Sequence, residues 1–166
     1  MDVKMTQTID APMDVVLRAK DERFDHADKI EGFKKIEFDE HEEDENKVKT
    51  KRAFEVNMDK TPAAVKKMIP KDMFEFTEIA VWDKKENRQE WEMISKAPKK
   101  LTWKGSTTYV DKGDKTERRI ECTIKVKVAF IGDAIEKTMA SGFKKSMEKE
   151  NNSIVAMVDL IQGGQV

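Results

Sequence analysis

One carboxylate stands in an apolar stripe. Ile135, Met139, Phe143, Met147, Ile154, Met157, Val158 and Ile161 recur at spacings of three, four or seven, and Glu150 falls on that same helical face. A carboxylate taken out of water alone is costly, so it must be paired, protonated or met by a polar group of a guest. Protonated, it would be a general acid; paired, it would be structural. A second polar set, Gln7, Arg52, Glu78, Gln89, Thr107 and Tyr109, falls on strand faces that alternation marks as apolar. Polar groups set into an apolar hollow orient a bound molecule. The alternative is internal: Arg52 pairs with Glu78 or Glu150, or turns to water at a bulge.

Other chemistries lack their residues. His26 and His41 are the only histidines, and no His, Cys, Asp or Glu set has zinc spacing. Asp39–Glu45 is dense in carboxylates but lacks the rhythm of a calcium loop. Cys122 faces the strand interior with no histidine nearby in sequence, which favours packing over nucleophilic work. No phosphate loop or nucleophile elbow occurs, so no cofactor and no metal is expected. The 32 Lys and Arg nearly cancel the 33 Asp and Glu, for a formal charge of -1. That balance argues against a nucleic-acid partner. A lone cysteine, the lack of an N-terminal apolar leader and the lack of any spanning run point to a soluble cytoplasmic protein.

The elements that must position these residues follow from periodicity. Period-two alternation predicts strands over 2–10, 33–42, 46–57, 73–83, 88–96, 101–111 and 115–130. On the last of these, Ile120, Cys122, Ile124, Val126, Val128 and Phe130 point one way. Two short helices are predicted over 12–19 and 21–30, the second stopped by Gly32. Thr61–Pro70 reads as a helix of one or two turns framed by prolines. A long helix runs from Asp133 to about Ile161, opened by an Asp133–Glu136 capping box.

The order is strand, helix, helix, six strands, long helix. With the segment Ile124–Glu136, which passes from a basic-apolar strand through Gly132 into the helix, the chain resembles the START-like superfamily. That superfamily includes the birch pollen allergen and the polyketide cyclases, and the segment is similar to an uncharacterised bacterial branch. The resemblance implies one START-like domain over residues 1–166 with an α+β helix-grip fold. In that fold a curved, seven-stranded antiparallel sheet wraps a long C-terminal helix.

It also implies an apolar hollow between helix and sheet that binds a lipid, sterol-like or polyketide-like molecule. The expected lining is Arg52, Phe54, Phe76, Glu78, Gln89, Trp91, Trp103, Tyr109, Met139, Phe143, Met147, Glu150 and Ile154. Methionine suits such a lining because it adapts to its guest, although it also fills ordinary cores. Val65, Met68 and Ile69, beside Lys66, Lys67 and Lys71, would guard the entrance and touch a membrane surface transiently. Two other functions remain open. One is a cyclase, dehydratase or hydrolase with Glu150 or Glu78 as acid–base, its pKa raised by apolar surroundings. The other is an interaction module of the chaperone-regulator type, with a solid core and an exposed apolar patch.

Overall fold

The structure, a computed structural model, describes residues 1–166. β1 (Asp2–Ile9) leads into α1 (Met13–Glu22) and a 3-10 turn (Arg23–Lys29). Then come β2 (Glu40–Glu43), β3 (Lys47–Glu55), α2 (Ala63–Lys66), β4 (Glu75–Asp83), β5 (Arg88–Ser95), β6 (Leu101–Asp111), β7 (Thr116–Val126) and α3 (Gly132–Gln162). The strands form one antiparallel sheet in the order β1-β7-β6-β5-β4-β3-β2. β2–β3 and β4–β7 pair in succession through short polar turns, β3 and β4 pair across the longer 56–74 connection, and β1 closes on β7 from Asp2 opposite Thr123 to Ile9 opposite Thr116. This is the helix-grip fold that the resemblance implies: a seven-stranded antiparallel sheet against a long C-terminal helix.

Alternation decides which face is covered. On β7, Thr116, Arg118, Ile120, Cys122, Ile124 and Val126 are buried, while Arg119, Glu121, Thr123 and Lys125 are exposed. α3 runs close along β7 and β1, and also packs on α1. Bulky side chains bridge from α3 to the more distant strands, as where the Phe143 and Trp91 rings meet at 5.4 Å. Two apolar clusters result. One gathers Phe76, Trp91, Trp103, Met139 and Phe143 under the first half of α3. The other gathers Val16, Ala19, Tyr109, Ile154 and Met157 under its second half.

Four element boundaries depart from expectation. Of the predicted strand over 33–42 only 40–42 is strand, as the start of β2, and Phe38 instead meets the Phe24 ring at 6.2 Å. β7 stops at Val126, and Val128 and Phe130 lie in the turn to α3. The capping box does not form. Ile131 is the N-cap, and Glu136 instead accepts the Val126 N–H at 2.9 Å and lies 3.4 Å from the N-terminal ammonium. The second short helix is a 3-10 turn with a kink at His26.

Gly105 lets the neighbouring strands β5 and β7 approach β6 closely. A Cβ there would collide with the Glu121 carbonyl oxygen and lie 2.6 Å from Cys122 Cβ and 2.7 Å from Trp91 Cζ2. Gly105→Ala is therefore expected to lose about 3 kcal/mol, the upper end for overpacking, because a backbone atom cannot swing aside. Urea melts would show this as a lower midpoint at unchanged slope. A midpoint equal to the parent's would mean that the strands have room to part at this point.

Candidate functional site

Between the two apolar clusters runs a charged belt. Glu150 reaches Arg23 Nη2 at 3.1 Å with Oε1 and Arg118 Nη2 at 2.7 Å with Oε2. The arginines are nearly sealed, with 6% and 2% of their side-chain surface exposed, whereas Glu150 keeps 32%. Their other donors are also used. Arg23 Nη1 donates to Ser153 Oγ at 2.7 Å and its Nε to the Lys20 carbonyl at 3.1 Å. Arg118 Nε donates to Tyr109 Oη at 3.2 Å and its Nη1 to Gln7 Oε1 at 2.8 Å. Gln7 Nε2 then donates to the Met147 carbonyl at 3.2 Å.

The electrostatics reverse one expectation. Burial pushes the Glu150 carboxyl up, but Arg118 and Arg23 together outweigh it and hold the pKa down at about 2. Glu150 is therefore ionised at neutral pH, with each oxygen on a guanidinium. It has no proton to donate and is a poor base, which overturns its role as a pKa-raised general acid. Nor is Arg52 its partner. Arg52 stands directly opposite Glu78 across β3 and β4 and binds it with two bonds, Nε to Oε1 at 3.0 Å and Nη2 to Oε2 at 2.8 Å. This pair shares the inner face with Phe54 and Phe76 and keeps 21% and 13% of its side-chain surface exposed.

The first apolar cluster is a wedge built of rings. Trp103 is at its centre, with ring centroids 6.5 Å from Phe54, 5.6 Å from Phe76, 6.1 Å from Trp91 and 5.8 Å from Phe143. Met139 is buried in the wedge and Met147 lines its edge. Trp103 is 5% exposed, yet its Nε1 meets no oxygen or nitrogen acceptor. The Cys122 sulfur lies near it, but burial pushes that thiol up to about 11 against the pull of the Trp103 N–H. A neutral thiol is a weak acceptor. A buried donor left in this state costs free energy that a guest's oxygen would recover.

The remaining predicted residues are dispersed. Tyr109 and Ile154 belong to the second cluster, where Tyr109 stacks edge-on against Trp82 at 5.7 Å. Gln89 lies half-buried opposite Thr107 and Trp82, away from the belt. Val65 and Ile69 are half-buried and Met68 is 49% exposed, around the single turn of α2. Hollows of about 340 Å³ and 670 Å³ lie outside the wedge, one beside Val126–Asp133 and one on the outer face around Gly105, Glu90 and Glu121. Under the first half of α3 the protein's own aromatic side chains pack into the space where a hollow is expected.

Arg23 and Arg118 were not foreseen, although both left a signal. Arg118 has the strand parity of Ile120, and Arg23 follows Val16 and Ala19 at helical spacing.

The family described as protein of unknown function DUF2505 matches residues 4–157. No curated protein matches the chain. Solved structures share the fold. The Zhui aromatase/cyclase from Streptomyces sp. R1128 has a TM-score of 0.63 at 14% identity, over 97% of this chain and 95% of that one. Norcoclaurine synthase from Thalictrum flavum, in complex with dopamine and hydroxybenzaldehyde, has 0.54 at 14%, over 98% and 87%. A START superfamily protein from Mycobacterium smegmatis has 0.52 at 13%, over 96% and 98%. No helix is long and apolar enough to cross a membrane.

Proposed function

We propose that this chain, which belongs to the DUF2505 family, binds a ring-bearing apolar small molecule of lipid, sterol-like or polyketide-like character in the wedge between α3 and β3–β6. The observation that carries this reading is the Trp103 Nε1 inside an aromatic cluster, which has no oxygen or nitrogen acceptor and only a neutral thiol beside it. A guest oxygen would accept from it, and the guest's apolar surface would replace ring contacts now made by Phe143, Met139 and Met147. The half-buried Arg52–Glu78 pair offers a second polar contact on the same face. The α2 segment with Val65, Met68 and Ile69 serves as the entrance, since Ile69 packs on the same cluster. Residues 1–166 act as one domain in the cytoplasm. The fold shared with an aromatase/cyclase, and with a synthase that holds two aromatic compounds, supports a ring-bearing guest.

The test uses flavone, a neutral aromatic ketone. It should bind one to one and quench tryptophan emission, with native mass spectrometry confirming the ratio. Trp103→Phe keeps the ring and removes the N–H, so flavone affinity should fall by roughly tenfold, the worth of one buried hydrogen bond. Absence of binding would sink the reading, as would equal affinity in the variant.

A further inference from the structure

Three segments converge at one end of the sheet. The β3–β4 connection (56–74), the β5–β6 turn (96–100) and the β7–α3 turn (127–131) meet there because antiparallel pairing sets Glu55 opposite Glu75 and Leu101 opposite Val126. Lys127 N–H donates to the Lys100 carbonyl at 2.7 Å, which ties two of the segments together. Together the three carry eight lysines against two aspartates, although the whole chain has a net charge of -1. Lys66, Lys67, Lys71, Lys99, Lys100 and Lys127 are all exposed and none enters an ion pair. The turns at the opposite end carry Asp10, Asp44, Glu45, Glu86 and Asp114 against Lys84, Lys85, Lys112 and Lys115, so they are nearly neutral and the positive charge is concentrated at this end.

Two apolar side chains stand out of this basic end. Phe130 is fully exposed at 101% and Met68 is 49% exposed. Phe130 also holds a φ of 68°, a left-handed conformation that bulky residues adopt at a cost. Nothing within the fold offsets that cost, because the ring touches solvent on all sides. A surface that is cationic around projecting apolar tips matches a bilayer whose headgroups are anionic and whose interior takes up the ring.

We propose that this end is a docking surface for anionic membranes, with Phe130 and Met68 entering the lipid and Lys99, Lys100 and Lys127 resting on the headgroups. The inference goes beyond guest binding and does not depend on it. Docking explains an exposed aromatic at a strained position that internal packing does not explain. It also brings the α2 segment against the bilayer.

The full chain would be sedimented with vesicles of phosphatidylglycerol mixed into phosphatidylcholine, without flavone. It should bind these and leave pure phosphatidylcholine vesicles unbound, and binding should fall as salt rises. Lys99→Ser, Lys100→Ser and Lys127→Ser together should weaken binding by roughly 100-fold, at about fivefold per lysine. Phe130→Asn, which suits a left-handed backbone, should weaken it by about tenfold while leaving the salt dependence unchanged. All four side chains are exposed, so thermal melts should match the parent's. Three outcomes would overturn the proposal: no binding to anionic vesicles, equal binding to both vesicle types, or parental binding by the lysine variant. Binding to heparin without binding to vesicles would overturn it as well, by assigning the surface to an acidic macromolecule. Failure here leaves flavone binding untouched, since the two are measured separately.

Discussion

Glu150→Leu should lose about 3–5 kcal/mol of folding stability, because it strands two guanidiniums in the belt. Arg118 and Arg23 keep only 2% and 6% of their side-chain surface exposed, so water entering at the 32%-exposed Glu150 position solvates them poorly. The loss measures the isolated charges rather than the intrinsic worth of the ion pair. Replacing all three, with Arg23→Met and Arg118→Leu added to Glu150→Leu, should therefore restore most of the stability. Urea melts of the single and triple variants separate these effects. If the triple variant were no better than the single one, the belt would contribute through its hydrogen bonds to Tyr109, Gln7 and Ser153 instead.

The same carboxylate sets an acid limit. Its folded pKa of about 2 lies below the ordinary 4.5, so the folded state holds its proton less tightly than the unfolded chain does. The stabilisation is then complete above about pH 4.5 and is lost as pH falls towards 2, amounting to about 3 kcal/mol in all. The Glu150→Leu variant should lack this decline across that window. A parent protein equally stable at both ends of the window would contradict the pairing.

How far these features are legible in the sequence depends on their range. Period-two strands and the α3 stripe are local patterns, and all but the strand predicted over 33–42 match the structure at their centres. Boundaries failed where tertiary contacts ended an element early. The alternation of Val128 and Phe130 continues β7 on paper, but the Val126 N–H is taken by the Glu136 side chain and the chain turns. Ile36 and Phe38 alternate too, yet Phe38 is used by the α1 side of the fold against Phe24. Glu150 announced itself by interrupting an apolar stripe. Its partners did so only weakly: Arg118 has inward strand parity and Arg23 inward helical spacing, but a buried arginine is uncommon and its charge outweighs that signal in a sequence. The pairing needs α1 docked on α3, a contact between residues 127 positions apart that no local pattern encodes.

Phe143→Ala tests the wedge most severely. The ring is 6% exposed and contacts Trp91 at 5.4 Å and Trp103 at 5.8 Å, so truncation should cost about 3–5 kcal/mol in urea melts. The space created is apolar and would stay dry. Toluene should enter it and raise the melting temperature of the variant, since a ligand that binds only the folded state stabilises it by mass action. The same vacancy should help a larger guest. In the parent, flavone must first displace the Phe143 ring, so only the fraction of molecules with the ring swung aside can accept it. Removing the ring removes that requirement, and flavone affinity should rise by roughly tenfold even as stability falls. Opposite signs for stability and affinity are not expected of a ring that serves only as core. If Phe143→Ala lost stability but left flavone affinity unchanged, the guest would have to lie elsewhere on the protein.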